Sequence, residues 1–380
     1  MIRNGRSKLK REYGELWVRG GYLDYQSVFL IFIITLFGFM MLYSASSYKA
    51  TLQGLGSTYY LIHQVKVSAI GFLGMWFLSH INYRYYQPIS KLLIIVSLFL
   101  SVIVFVLGTA TKGAIRWIQI GGFQFQPSEL AKPALIIYVA HCCIVQPKKL
   151  NTLRGMINIF CFPIICIVLI AVENLSTAII CFLIVVVIMF VASPKAYKLI
   201  IIGIVGAIGA TIFIFAESYR GDRFDAWLHP ETSPDGYQTM QSLYAIGSGG
   251  LFGKGLGQSM QKMGFLPEAH NDMIFSVICE ELGLFGAIGL IALFLMLLFR
   301  FKYIAECASD GFGGLIVTGI LAHVALQMSV NIAVVTNTIP NTGVTLPFIS
   351  YGGTSLVAMM CEIGLVLNVS RLSRLEKEQL

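Results

Sequence analysis

Long apolar stretches recur along almost the whole chain and are separated by short polar segments. The hydrocarbon core of a bilayer is about 30 Å thick and needs about 20 apolar residues in a helix. The chain contains ten windows of this kind, at 27–47, 59–79, 92–108, 127–145, 155–172, 175–193, 198–216, 272–299, 312–334 and 351–369. The fourth window is unusual because it carries Glu129 and Lys132, and only Glu173 and Asn174 separate the fifth from the sixth.

The composition agrees with a membrane protein. Of the 380 residues, 56% are hydrophobic and 12% are charged, and the mean hydropathy is +0.76. One soluble core could not bury this much apolar surface. We therefore expect an all-α integral membrane protein with about ten transmembrane helices. A single membrane domain would cover 25–370, between cytoplasmic tails at 1–24 and 371–380.

The positions of the basic residues predict the orientation. Most of the 27 Lys and Arg residues fall in the N-terminal tail and in alternate short loops. Cytoplasmic loops carry such an excess, so both termini are predicted to be cytoplasmic. The net charge of +8 could also indicate a nucleic-acid partner. Because the cations are spread over short loops, as insertion requires, we expect no nucleic acid.

The longest polar segment, 217–271, lies between the seventh and eighth windows and is predicted to be an external loop. Residues 219–235 mix charges of both signs with aromatic residues, which favours an amphipathic segment on the membrane surface. Glycines allow positive φ and close backbone approach, so those in this loop indicate either a compact re-entrant loop or a ligand cradle. They are Gly247, Gly249, Gly250, Gly253, Gly255 and Gly257.

Asp272 stands where the polar segment meets the eighth window. A carboxylate at the border between water and lipid can serve as a general base. It can equally be the N-cap of the eighth helix, where free backbone N–H groups favour an acidic side chain. The residue types alone leave both interpretations open.

Ionisable residues inside a membrane are costly and are candidates for function. Glu129 and Lys132 can pair on one helical face, either to help insertion or to face an anionic headgroup. Glu280 lies about 12 Å along the helix from Asp272, too far to share one reacting centre. Glu280 and Glu281 are therefore predicted to be structural partners of groups on other helices. The remaining intramembrane ionisable residues are Lys66, His323 and Glu362.

Four segments resemble one known family. The stretch 236–283, which contains LPEAHND, closely resembles the SEDS family of cell-wall polymerases, whose branches include FtsW, SpoVE and RodA. Segments 24–47, 116–133 and 345–356, the last followed by LNVSR, are also similar to family segments in order. The absence of an insertion before LPEAH and the NVSR ending look more like the FtsW and SpoVE branch.

The resemblance implies an inverting peptidoglycan glycosyltransferase that polymerises lipid II outside the membrane. The family's catalytic Asp falls on Asp272. Lys132 and Arg116 would stabilise the diphosphate, with Glu129 positioning Lys132. A divalent cation, Mg²⁺ or Mn²⁺, is also implied, with ligands that the sequence does not identify. The other expected substrate-groove residues are Gln126, Ser128, Gln238, Gln241, His270, Ser350, Tyr351, Gly352 and Gly353.

The resemblance also implies a location and partners. The protein is expected in the bacterial cytoplasmic membrane with a class B penicillin-binding protein, which is a transpeptidase, and other division or elongation proteins. Whether it serves division, sporulation or elongation is left open. The alternatives are a flippase for lipid-linked precursors and a scaffold that has lost catalysis.

The chain departs from the family pattern in three places. The family's QPDLGT is VENLST here, so an Asp is replaced by Asn174, and no role of that Asp can be carried over. PVTG is PNTG at 340–343, and HTD is HND at 270–272. Asp272 itself is retained.

Overall fold

The computed structural model describes residues 14–18, 20–107, 109–111, 114–120, 123–215, 218–233 and 236–373. Most of the two predicted tails lies outside these ranges. Within them, ten helices are long and apolar enough to span a membrane, as the hydropathy pattern predicts. The α-helices are α1 (Tyr25–Leu52), α2 (Tyr59–His80), α3 (Tyr86–Leu107), α4 (Pro127–Val145), α5 (Leu153–Glu173), α6 (Leu175–Ala192), α7 (Leu199–Phe215), α8 (Ser218–Leu228), α9 (Tyr237–Gly249), α10 (Ile274–Glu306), α11 (Gly311–Val335) and α12 (Gly353–Arg371).

The three most buried spans, α4, α11 and α12, are less hydrophobic than most of the others. The most apolar window of α4 is 72% buried with a hydropathy of 1.4, whereas that of α7 is 6% buried with a hydropathy of 2.0. A helix surrounded by other helices contacts little lipid, so it can carry polar side chains that bond to its neighbours. This position explains how α4 accommodates Glu129 and Lys132.

The tight turn predicted between the fifth and sixth spans is present. Helix α5 ends at Glu173 and α6 begins at Leu175. The side-chain oxygen of Asn174 accepts hydrogen bonds from the backbone N–H groups of Ser176 (3.1 Å) and Thr177 (3.3 Å). Asn174 is therefore an N-cap, a position that favours Asn and Asp alike. Asn174 can therefore cap α6 where the family pattern has an Asp.

A small antiparallel sheet between α3 and α4 was not predicted. Its strands are β1 (Thr109–Thr111), β2 (Ala114–Ile120) and β3 (Phe123–Phe125), in the order β1-β2-β3. The β-branched and aromatic residues of β2 favour a strand, but the segment is too short to stand out beside long apolar windows. Helix α4 then starts with Pro127, at a position where the missing N–H costs no helical bond.

The glycine-rich part of the external loop packs against a kink in α10. Gly283 sits at the kink with φ +66°. The N–H of Leu284 donates to the carbonyl of Gly250 (2.9 Å), and the N–H of Lys254 to that of Glu280 (2.9 Å). A Cβ on Gly253 would lie 2.2 Å from the carbonyl oxygen of Glu281. These glycines therefore make a compact loop by close backbone approach.

Glu280 and Glu281 hold this loop in place. Lys254 Nζ lies 2.7 Å from Glu280 Oε1, and Lys262 Nζ lies 2.6 Å from Glu281 Oε1. Ser44 of α1 also donates to Glu281 at 2.6 Å. The predicted structural role is present, but most of the partners come from the loop rather than from other helices. The sequence analysis did not predict partners from the loop, because it did not show that the loop folds back along α10.

Candidate active site

A cavity of about 1150 Å³ lies between α2, α4, α8, the start of α12 and the segments that precede α10 and α12. Its wall includes Asp272, the Glu129–Lys132 pair and Arg223. Pockets that bind small molecules commonly have volumes of about 300–1,000 Å³. The cavity is therefore large enough for a sugar headgroup with its phosphates, and it brings both signs of charge together.

Asp272 belongs to a turn and not to the helix that follows. Helix α10 begins at Ile274, and its N-cap residue is Met273, so the N-cap interpretation of Asp272 is wrong. The backbone carbonyl of Asp272 accepts a 2.7 Å hydrogen bond from Asn331 Nδ2. At Gly343, a Cβ would contact Asp272 Oδ2 at 3.7 Å. The hydrogen bond from Asn331 thus anchors the main chain of Asp272, a residue that lines the cavity.

The predicted ion pair in α4 is present. Lys132 Nζ donates to Glu129 Oε2 at 2.9 Å, and both side chains are buried. Lys132 Nζ also donates to Gln327 Oε1 at 3.3 Å. All three residues line the cavity. The pair therefore forms part of the cavity wall, which an aid to membrane insertion would not require.

Arg223 is a second cavity cation, and sequence reasoning assigned it no chemistry. It lies on α8, and its Nη1 donates to the carbonyl of Asn341 at 3.3 Å. One turn later Trp227 Nε1 donates to the carbonyl of Asn337 at 3.0 Å. The amphipathic segment is indeed helical, but one face packs against the 337–341 segment. Arg223 and Trp227 are four residues apart, which places both on one helical face. This spacing is the sequence feature that could have indicated a shared packing face.

Tyr351 carries a phenol at the edge of the cavity. Its backbone N–H donates to the carbonyl of His270 at 2.9 Å, and its hydroxyl lies 3.1 Å from His63 Nδ1. Burial raises the pKa of Tyr351 to about 12. The phenol therefore stays protonated at neutral pH and can donate a hydrogen bond. Tyr60 packs against both His270 and Tyr351, with ring centroids 5.0 Å and 5.2 Å apart.

Most of the predicted site residues line the cavity, and some do not. Ser128 Oγ accepts a hydrogen bond from Gln126 (3.0 Å), and Ser350 Oγ accepts one from the N–H of Leu346 (2.8 Å), so both hydroxyls bond within the protein. Arg116 lies on β2, and its side chain is outside the described part. The predicted residues on the wall are Gln126, Glu129, Lys132, Gln238, Asp272, Tyr351, Gly352 and Gly353, whereas Ser128, Gln241, His270 and Ser350 are not part of it.

Gln327 and Asn331 were also missed by sequence reasoning. With His323 they repeat every four residues on α11, which places them on one helical face. All three are buried. A polar stripe at this spacing in an apolar helix was a usable signal, but only the tertiary structure shows what it contacts.

A divalent cation is compatible with the donors in the cavity. The Glu268 carboxylate lines the same wall as Asp272. The described residues include no cluster of three or more His, Cys, Asp or Glu side chains that could hold a metal. Mg²⁺ is often bound through one or two carboxylates together with substrate phosphates. The residues present fit a cation held mainly by a diphosphate.

Comparisons with known proteins agree with this architecture. The chain is 39% identical to a probable peptidoglycan glycosyltransferase FtsW of Geobacter sp. strain M18, over 89% of this chain and 94% of that protein. It is 38% identical to stage V sporulation protein E of Bacillus subtilis strain 168, over 91% and 97% of the two chains.

A solved structure is also similar. It is described as structural coordination of polymerization and crosslinking by a peptidoglycan synthase complex. One of its chains matches with a TM-score of 0.74 and 26% identity, covering 92% of this chain and 98% of that chain. Residues 25–375 match the FtsW, RodA and SpoVE family model, described as cell cycle protein. The predicted family is thus confirmed, and this multi-pass membrane protein belongs to the FtsW, RodA and SpoVE family.

Proposed function

We propose that this protein is a peptidoglycan glycosyltransferase that polymerises lipid II into glycan strands at the outer face of the membrane. The observation that carries the proposal is one cavity that is lined by Asp272 and by two cationic residues, Lys132 and Arg223. The similar FtsW protein of Geobacter sp. strain M18 is named a probable peptidoglycan glycosyltransferase, which supports the proposed class of reaction. A carboxylate beside cations suits transfer from a sugar diphosphate to a sugar hydroxyl.

Asp272 acts as the general base. The 4-hydroxyl of the acceptor sugar loses its proton as its oxygen attacks the anomeric carbon of the donor, and the Asp272 carboxylate accepts that proton. General base catalysis of this kind contributes about 10²- to 10⁴-fold to a rate. The hydrogen bond from Asn331 to the Asp272 carbonyl supports this role because it fixes the main chain beside the cavity.

The cations act on the leaving group. As the bond between the anomeric carbon and the diphosphate oxygen breaks, negative charge grows on the diphosphate, and Lys132 and Arg223 stabilise it. A diphosphate leaves without a proton, so no second carboxyl group is needed as an acid, in contrast to glycosidases. Direct displacement inverts the donor's α linkage to β. Glu268 and the phosphates would hold Mg²⁺ or Mn²⁺, which would add positive charge there.

The proposed orientation and partner follow from the same reaction. The cavity faces the outside, and both termini are cytoplasmic, in agreement with the distribution of basic residues. Glycan strands must also be cross-linked. The similar chain in the peptidoglycan synthase complex supports a class B penicillin-binding protein as the cross-linking partner.

The test is glycan synthesis by the full chain, with its penicillin-binding partner, from purified lipid II in detergent micelles. Micelles have no second compartment, so a flippase would yield no polymer there. We expect polymer from the wild type and from Asp225→Ala, which removes an exposed carboxylate of the same external segment, and none from Asp272→Ala. If the wild type makes no polymer, the proposed glycosyltransferase activity is wrong. If Asp272→Ala makes polymer, Asp272 is not the general base.

A further inference from the structure

Helix α11 carries a polar stripe, His323, Gln327 and Asn331, that faces the protein interior. These side chains are 0%, 2% and 0% exposed. Buried polar groups in a membrane helix are costly unless they are bonded. Each of the three is hydrogen-bonded to groups outside α11, and these partners show what the stripe does.

The orientation of the Gln327 amide is set by its partners. Its Nε2 donates to the backbone carbonyl of Thr345 at 3.1 Å, and a carbonyl can only accept. Its Oε1 faces the ammonium of Lys132 at 3.3 Å, and an ammonium can only donate. Exchanging the amide oxygen and nitrogen would break both contacts. The amide therefore has one workable orientation.

This orientation determines the protonation of His323. Its Nε2 lies 3.0 Å from Gln327 Oε1, so Nε2 must carry a hydrogen. Its Nδ1 lies 2.7 Å from Glu362 Oε2, so a second hydrogen must lie between them. The pair is either an imidazolium with a carboxylate or a neutral ring with a protonated carboxyl group. Both states hold the same number of protons.

The next residue of the stripe supports Asp272. Asn331 Nδ2 donates to the backbone carbonyls of Asp272 and Val344, both at 2.7 Å. One face of α11 thus anchors the main chain of the proposed base and, one turn away, the ammonium of Lys132. The relative placement of the two charged groups depends on this single helix.

We propose that Gln327 is a positioning residue that holds the Lys132 ammonium at the cavity wall, and that the proton shared by His323 and Glu362 keeps the Gln327 amide in its working orientation. This inference rests on the proposed function, because it concerns the cation that faces the diphosphate. A misplaced ammonium stabilises the leaving group less in the transition state. It therefore lowers kcat more than it raises KM.

The kinetic test is Gln327→Leu in the full chain with its partner and lipid II. We expect kcat to fall about tenfold or more and KM to change less than about threefold. The matched control is Thr318→Val on the same helix, whose hydroxyl donates within the helix to the Gly314 carbonyl at 2.8 Å. It should leave kcat unchanged. An unchanged kcat in Gln327→Leu would overturn the positioning role.

The shared proton is tested at Glu362. In Glu362→Gln the new amide can donate to Nδ1 of a neutral His323 whose Nε2 keeps its hydrogen, so kcat should stay within about twofold of wild type. Glu362→Leu cannot donate and should lower kcat about as much as Gln327→Leu. An equal loss of kcat in Glu362→Gln and Glu362→Leu would show that the shared proton does not hold the Gln327 amide in place.

A spectroscopic measurement on the wild type is independent of activity. In protein with ¹⁵N-labelled histidine, the Nε2 signal of His323, assigned by its loss in His323→Gln, should be that of a protonated nitrogen at the pH of the activity assay. An unprotonated Nε2 would overturn the inference. If Lys132→Ala polymerised at the wild-type rate while Nε2 stayed protonated, the proposed leaving-group role would fail instead.

Discussion

Two groups of carboxylates near the start of α10 have opposite surroundings. Glu280 and Glu281 are fully buried, and loop groups saturate their oxygens: Ser259 Oγ and the N–H of Met260 (3.1 Å) donate to Glu280, and the N–H of Gly257 (2.9 Å) donates to Glu281. Asp272 is partly exposed on the cavity wall. The saturated carboxylates shape the loop, whereas Asp272 can meet a ligand.

The difference shows why residue type and position in a membrane protein do not by themselves indicate catalysis. All three carboxylates lie within ten residues of chain at one end of a span. A buried carboxylate that is paired with a lysine and several N–H or O–H groups is held as an acceptor and has little left to offer a substrate. Access to the cavity distinguishes Asp272 from the other two.

The largest expected effect is on catalysis by Asp272→Asn. Asn keeps the shape but cannot take a proton, so we expect kcat to fall about 10³-fold, within the usual range for a lost general base. The melting temperature in detergent should match that of wild type, because the main-chain bond to Asn331 remains. A wild-type kcat in Asp272→Asn would show that Asp272 differs from Glu280 and Glu281 in its surroundings but not in catalysis.

The next effect is on stability. Glu281→Gln leaves Lys262, whose side chain is 5% exposed, without its charged partner, and breaking a buried pair in this way costs about 3–5 kcal/mol. The melting temperature should fall while kcat per folded molecule changes little. The double variant Glu281→Gln with Lys262→Met should recover most of the loss. A kcat that falls without any change in melting temperature would contradict the structural role.

Arg223→Gln should have an intermediate effect. It removes one of the two described cavity cations, and charge-assisted contacts of this kind are worth about 1.5–3 kcal/mol. We expect kcat/KM to fall at least about tenfold with lipid II. Asp225→Asn, an exposed change on the same helix, is the control. Equal kinetics in the two variants would show that Arg223 is only a surface charge.

The smallest effect is expected for an exposed ion pair. Lys302 Nζ lies 3.6 Å from Glu306 Oε1, with side chains 63% and 62% exposed. Exposed pairs contribute about 0–1 kcal/mol, so Glu306→Gln should leave both melting temperature and activity close to wild type. A marked destabilisation would mean that burial does not explain the contrast between Glu281 and the exposed charges.

Local patterns in the sequence were enough to predict much of this protein. The ten spans follow from the length of apolar windows, the Glu129–Lys132 pair from the helical spacing of three residues, and the border position of Asp272 from the change in hydropathy. The family follows from ordered motifs such as LPEAHND. Each of these depends on residues close together in the chain.

The tertiary structure alone decided which distant groups meet. Arg223 and Lys132 lie 91 positions apart (223 minus 132) yet line one cavity. Gln327 on α11 joins Lys132 to Thr345, and the loop that saturates Glu280 and Glu281 folds back on α10. The small sheet before α4 was missed as well. Such contacts depend on how helices and loops pack, and hydropathy and helical spacing carry information only along one element.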